Sequence, residues 1–369
     1  MAKDAAGSEP ARSGPNRPRR QSRGEPLYGA IDLGTNNCRM LVARKTREGF
    51  RVVDAYSRIV RLGEGLGASG TLSQAAMDRA LEALKVCAQR LEKKHVARLR
   101  AIATEACRRA SNGPAFIERV REETGLELEI VTPEEEARLA VQGSLDLLDE
   151  GMDAAVVVDI GGGSTELCWV DLAEWRARGG FASGGRPPLR GWSTMPMGVV
   201  TLSEHFPEPE DDAARGEWYE AMKAHVRAHM KAPKGARRLR PVFQAGKAHM
   251  VGTSGTVTSV AGVHLGLERY DRSRVDGLWI ETEEAHAVCR RLASKDAAGR
   301  AREGCIGTER ADLVVAGCAI LEAVMEAWPT QRMRVGDRGL REGLLLNLMR
   351  KKRRRGRRGG APRGKGPTS

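Results

Sequence analysis

Two short stretches of the chain share a form suited to holding an anion. Ala30-Ile31-Asp32-Leu33-Gly34-Thr35-Asn36 and Val157-Val158-Asp159-Ile160-Gly161-Gly162-Gly163-Ser164-Thr165 each carry an apolar strand into an Asp, then into a glycine turn with hydroxyl or amide side chains. Each turn runs on into a second strand-like segment, over 38–42 and 166–170. A dinucleotide site or a P-loop would open a helix at that point, so both are disfavoured. What remains is a hairpin whose turn presents backbone N–H groups to a phosphate, because glycine allows close approach and unusual dihedrals. A lone Asp-x-Gly turn is commonly only a turn whose Asp bonds its own backbone. Two copies, with a third glycine turn at Val251-Gly252-Thr253-Ser254-Gly255-Thr256 opening a predicted helix, favour a phosphate site over a structural repeat.

The acidic run Glu134-Glu135-Glu136 has a structural explanation that comes first. Thr132 is placed to cap a helix, Pro133 to occupy its first position, and Glu135 to complete a capping box. Acids at a helix N-terminus also suit its dipole. Capping uses Glu135 and leaves Glu136 one position further round, free to point elsewhere. His225 and His229 are spaced i, i+4 on a helical stretch but lack a third ligand nearby in sequence, and read as a surface pair. Cys107 reads as a small buried residue and not as a nucleophile, and Arg109 as a solvated helix residue.

The elements that must carry these residues are legible from periodicity. Strand-like runs over 29–33, 38–43, 51–60, 99–103 and 128–131 alternate with helix-period segments. The clearest helix follows Ser73, where Met77, Ala80, Leu81, Leu84, Ala88 and Leu91 recur at helical spacing. Segment 311–328 is almost continuously apolar and predicts a buried helix, whereas the Gly/Pro-rich 179–188 predicts an exposed loop. Strands interleaved with helices place the chain in the α/β class. Its 369 residues and 41% apolar content suffice for two domains with packed cores.

The net charge of +13 is unevenly spread. Residues 1–26 carry six Lys/Arg against three Asp/Glu, and residues 350–369 carry ten basic residues and no acid, which leaves 45 of each sign between them. Both ends are poor in large apolar residues and are expected to be disordered. The run over 351–358 offers a polyanion contact or a solubilising tail, and no aromatic residue is interleaved there to stack on bases. Seven scattered cysteines without a C-x-x-C pair argue against a disulfide framework and for a reducing, cytoplasmic location. The N-terminus has no signal-peptide character. The longest uncharged apolar window, 313–321, is well short of the about 20 residues that span a bilayer, so no membrane role is expected.

The three glycine turns resemble the two phosphate loops and the adenosine loop of the actin, hexokinase and heat-shock ATPase superfamily. Ala103-Thr104-Glu105-Ala106-Cys107-Arg108-Arg109-Ala110-Ser111-Asn112, Pro133-Glu134-Glu135-Glu136-Ala137-Arg138-Leu139 and Asp159-Ile160-Gly161-Gly162-Gly163-Ser164-Thr165-Glu166-Leu167 closely resemble, within it, the exopolyphosphatase and guanosine-pentaphosphate phosphatase family. Met197-Gly198 and Arg338-Gly339-Leu340-Arg341-Glu342-Gly343 extend the match from about Leu27 to Met349. The resemblance implies two ribonuclease-H-like (actin-like) α/β domains with a cleft between them, flanked by the disordered basic tails. The first would cover 27–133, the second 134–337, with a last helix over 338–349 packing back on the first. Longer relatives add helical domains after this point.

By the same resemblance Glu136 is the catalytic base, assisted by Asp159, and Arg108 is the basic residue whose planar fork clamps phosphate. Asp32, Gly34, Thr35, Asn36, Gly161, Gly162, Gly163, Ser164, Gly252, Thr253, Ser254, Gly255 and Thr256 are the implied phosphate-binding residues. Asp32 and Asp159 would hold Mg²⁺ directly or through water, since Mg²⁺ prefers a few carboxylates plus substrate oxygens. The implied reaction is Mg²⁺-dependent hydrolysis of the terminal phosphoanhydride of inorganic polyphosphate, releasing orthophosphate. The alternatives are conversion of guanosine pentaphosphate to the tetraphosphate, and a nucleotide- or alarmone-binding regulator without turnover. The intact Glu136, Asp159 and Gly161-Gly162-Gly163 set speaks against the regulator. A sugar or acetate kinase of the same superfamily would need ATP-dependent transfer. A homodimer is the expected assembly.

Overall fold

The first glycine turn forms as its flanking alternation requires. Strands β1 (Leu27–Leu33) and β2 (Asn37–Lys45) pair antiparallel with Leu33 opposite Cys38, leaving a four-residue turn between them. The computed structural model describes residues 25–350 apart from Glu48 and Gly184. The expectations for the basic tails therefore lie, except for Glu25, Pro26 and Arg350, outside the described residues.

In the first domain β3 (Phe50–Ile59) extends the hairpin. Helix α1 (Gln74–Lys93) then leads to β4 (Arg98–Ala103), and α2 (Glu105–Arg109) and α3 (Gly113–Thr124) lead to β5 (Leu128–Ile130). The sheet order is β3-β2-β1-β4-β5, with β4 parallel to β1 and β5 parallel to β4. Ser73 caps α1 by accepting the Ala76 N–H at 3.2 Å. The helical stripe read from the sequence, including Ala80, Leu81, Leu84 and Leu91, packs with Ile31, Met40 and Val42 of one sheet face. Apolar burial of this kind contributes roughly 25 cal/mol per Å².

Helix α4 (Pro133–Gly143) opens the second half, followed by β6 (Ala154–Ile160), β7 (Thr165–Asp171) and β8 (Leu189–Met195). Helices α5 (Val199–His205) and α6 (Arg215–His229), strand β9 (Ala248–Thr253) and helix α7 (Gly255–His264) come next. The chain continues through β10 (Trp279–Glu281), α8 (Thr282–Ala293), α9 (Val314–Ala327), β11 (Arg332–Gly336) and α10 (Leu340–Met349). The second sheet runs β10-β11-β9-β6-β7-β8. Read from β8 it repeats the first sheet strand for strand, three antiparallel and then two parallel, and adds β10 at the far edge. The duplicated turn of the sequence is thus the corner of a duplicated fold, two ribonuclease-H-like domains with a cleft between them.

Two helices lie between the sheets. Ala137 and Val141 of α4 pack with Val157, Cys168 and Val251 of the second sheet, while Leu344 and Leu345 of α10 pack with Ala30, Leu41 and Ile102 of the first. They cross with almost no space between backbones: a Cβ on Gly143 would lie 1.8 Å from the Gly339 carbonyl oxygen, and one on Gly343 2.1 Å from that of Leu139. The apolar segment 311–328 forms the buried α9, beginning at Val314. Within 179–188 the chain makes a helical turn, Gly180–Ser183, where a plain loop was expected; Phe181 packs on Trp175 with ring centroids 4.2 Å apart, and that contact organises it. All seven cysteines are free and buried. No helix among the described residues is long and apolar enough to cross a membrane.

Candidate active site

Both glycine turns close in the same way. Gly34 N–H donates to the Asn37 carbonyl and Gly161 N–H to the Ser164 carbonyl, each at 2.9 Å. The turns meet across the cleft: a Cβ on Gly162 would lie 2.9 Å from the Asn36 amide nitrogen, and one on Gly163 2.6 Å from Thr35 Oγ1. Only glycine permits that approach. The carbonyls of Gly161 and Gly162 accept from Val199 and Val200 at 3.0 and 2.8 Å, at the start of α5. The Gly162 and Gly163 amides have no protein acceptor among the described residues, so they remain free to donate to a ligand. At the third turn Ser254, with φ of 119°, opens α7. Two buried polar atoms of these turns, Asn36 Oδ1 and Ser254 Oγ, also lack a partner.

The turns surround a cleft of about 1150 Å³ that opens to solvent. Asp32, Gly34, Thr35, Asn36, Glu136, Asp159, Gly161, Gly162, Gly163, Ser164, Thr253, Ser254, Gly255 and Thr256 all line it. Gly252 does not: a Cβ there would meet Met333 Sδ and Val257 Cγ1 at 2.9 Å, so it belongs to the packing of β9 against β11 and α7. Arg108 is also away from the cleft wall. Its Nη1 donates to the Val131 carbonyl at 2.6 Å, and its guanidinium pairs with Glu105 at 2.6 Å and Glu136 at 3.3 Å. The structure thus shows this arginine, expected to clamp phosphate, paired with the Glu136 carboxylate.

The start of α4 separates its three acids. Thr132 Oγ1 accepts the Glu135 N–H at 3.2 Å as a cap should, but the Glu135 carboxylate goes to Arg100 at 2.6 Å and leaves the capping box half made. Glu134 pairs with Arg138 at 2.7 Å. Glu136 turns inward and is only 7% exposed. Burial, and then the charge of Glu166, raises its carboxyl well above the usual range, with Arg108 working against both. Glu166 on β7 is raised by burial and by Asp159. Cys107 is inert: burial pushes its thiol up to about 12. His225 stacks on His205 and lies tilted against His229, ring centroids 4.7 and 4.3 Å apart, away from the cleft.

Asp32 and Asp159 occupy matching positions before their turns and sit deep in the protein while keeping a face on the cleft. Burial raises both, Asp32 to about 6, and Arg39 is the first influence opposing it in each case. Two carboxylates, which offer oxygen donors only, both on the wall of the cleft, fit Mg²⁺. No three His, Cys, Asp or Glu side chains among the described residues converge as a metal-holding group, so the remaining ligands would be water and substrate oxygens. A carboxyl whose folded pKa is raised contributes stability below the unfolded value of 3.8, and that contribution is lost as pH rises through about 6. Asp32→Asn is therefore expected to stabilise the metal-free protein at pH 8 by on the order of 3 kcal/mol. Thermal melts of both proteins at pH 5 and pH 8 check this; an Asn variant no more stable than the parent at pH 8 contradicts it.

Three cleft residues were not foreseen as functional: Arg39, Arg310 and Arg341. None makes a side-chain hydrogen bond or ion pair with protein among the described residues. Arg338, on the same wall, pairs with Asp276 at 3.0 Å and with Asp146. Arg39 had a readable signal: hairpin register sets it opposite Asp32, on the same sheet face.

A crystal structure of an exopolyphosphatase-like protein matches this fold with a TM-score of 0.74 and 26% identity, covering 87% of this chain and 98% of that one. The Aquifex aeolicus Ppx/GppA family member matches with a TM-score of 0.67 and 26% identity over 88% and 97% of the two chains. An exopolyphosphatase from Cytophaga hutchinsonii, at 22% identity and a TM-score of 0.72 over 87% and 97%, shares the fold. With the Ppx/GppA phosphatase family matched over residues 41–352, most of its length, this chain belongs to that family.

Proposed function

We propose that this phosphohydrolase removes the terminal phosphoryl group of inorganic polyphosphate in the cleft between its domains. One observation carries the reading: three guanidinium groups without protein partners, Arg39, Arg310 and Arg341, face a cleft whose described lining contains no aromatic or histidine side chain. Buried or half-buried cations want a counter-charge, and arginine's planar fork suits phosphate. A guanine base, by contrast, is ordinarily held by stacking and edge hydrogen bonds, for which the wall offers no platform.

The residues divide the work by position. The Gly162 and Gly163 amides and the arginines hold the phosphate chain and offset its charge. Glu136, kept basic by its surroundings and oriented by Arg108, takes a proton from water. The water oxygen bonds to the terminal phosphorus, the bridging P–O bond breaks, and orthophosphate leaves a chain shorter by one unit. Asp32 and Asp159 would hold Mg²⁺, whose charge would offset that of the substrate oxygens.

The test is phosphate release by the purified protein with Mg²⁺, offered long-chain polyphosphate and guanosine pentaphosphate at equal terminal-phosphate concentration. Polyphosphate is expected to be the faster substrate. A faster nucleotide would make the enzyme a guanosine-pentaphosphate phosphohydrolase, and silence on both would favour a binding protein.

A further inference from the structure

The segment after β3 is fastened to the first phosphate turn. Val60 and Arg61 N–H both donate to the Asn36 carbonyl, at 2.8 and 3.0 Å, and Gly63 N–H donates to that of Thr35 at 2.9 Å. Arg61 holds a left-handed φ of 46°, a conformation that costs a non-glycine residue free energy and persists where surrounding contacts impose it. From that position its side chain leaves the first domain. Nη1 pairs with Asp312 at 3.0 Å and Nη2 donates to the Glu309 carbonyl at 3.3 Å. Between those two anchor points lies Arg310, which faces the cleft. A second strap runs alongside: Gly65 N–H donates to Glu204 at 2.9 Å, near the end of α5, whose start holds the carbonyls of the second phosphate turn.

We propose that Arg61 is a positioning residue that ties the first phosphate turn to the 309–312 segment across the cleft and so holds Arg310 against the substrate. Arg61 touches no substrate; it acts through Arg310. A terminal phosphate seated on Thr35 and Asn36 would thereby draw Arg310 over the chain behind it. The pair is half-exposed, 35% and 46%, so its energetic weight alone is small. Its effect comes from where it is attached.

The inference rests on the cleft being the polyphosphate site, and the test separates the two. Steady-state phosphate release from inorganic polyphosphate is measured at low ionic strength for Arg61→Ala, Arg310→Ala, the double variant, and the swap Arg61→Asp with Asp312→Arg. Arg61→Ala is expected to raise KM about three- to fivefold, the range of a half-exposed ion pair, with kcat held within about twofold. In the Arg310→Ala background the same substitution should add nothing, and the charge swap should restore KM. If Arg310→Ala raises KM but Arg61→Ala does not, or if the two effects multiply, or if the swap fails to rescue, the positioning role is overturned. If Arg310→Ala itself leaves KM unchanged, the reading of the cleft fails instead.

Discussion

Glu136→Gln is expected to lower turnover by at least about 10²-fold, the scale of a lost general base, while leaving the protein folded. The side chain is nearly isosteric, so the volume beside Arg108 is kept, and the amide oxygen can still accept from the guanidinium that now lies 3.3 Å from the carboxylate. The loss of charge also relieves repulsion from Glu166, which is one of the influences raising Glu136. The melting temperature should therefore hold or rise even as phosphate release collapses. A merely structural acid would give the reverse, lower stability with activity retained. The pH profile offers a second check on the same residue. A base raised well above 4.5 must lose its proton before it can act, so kcat/KM should climb with pH on a limb above the ordinary carboxylate range. Activity of the Gln variant within tenfold of the parent would remove Glu136 as base.

How much of this site was legible in the sequence depended on whether a residue's position followed from local rules. The two Asp-and-glycine hairpins were legible because strand alternation and glycine turns fix their geometry locally, and the structure closes both with the same 2.9 Å hydrogen bond. Local capping rules singled out Thr132 and separated Glu136 from its neighbours. They could not say that Glu135 would abandon the box for Arg100, a residue 35 positions away on β4. Arg108 was assigned to phosphate by resemblance, its planar fork suiting that role. Its contacts with the Val131 carbonyl and Glu136 had no local sign, because they join residues more than twenty positions apart. The unpaired arginines were hidden for the opposite reason. A chain with 61 Lys/Arg gives no local sign of which few lack an acceptor, since that depends on every carboxylate that folding brings near.

Gly143→Ala is expected to cost about 3 kcal/mol or more, at the upper end of overpacking, and to lower the melting temperature by roughly 5–10 °C. The reason lies in what the added methyl would meet. Its position is 1.8 Å from the Gly339 carbonyl oxygen and 2.9 Å from the Gly343 amide nitrogen, both backbone atoms of the neighbouring α10 and its cap, with no flexible side chain to move aside. Relief requires the helices to separate, yet α4 is packed on one sheet and α10 on the other. Glu136 rides on the first turn of α4 and Arg341 on the first turn of α10, so the separation moves the base relative to a cleft cation. Activity should consequently fall by more than the loss of folded protein explains when assayed well below the melting point. Gly216→Ala is the control, because nothing lies within 4 Å of a Cβ at that helical position and its stability should be unchanged or slightly raised. If Gly143→Ala melts with the control, the two helices do not meet backbone to backbone, and the coupling of the domains through this crossing is wrong.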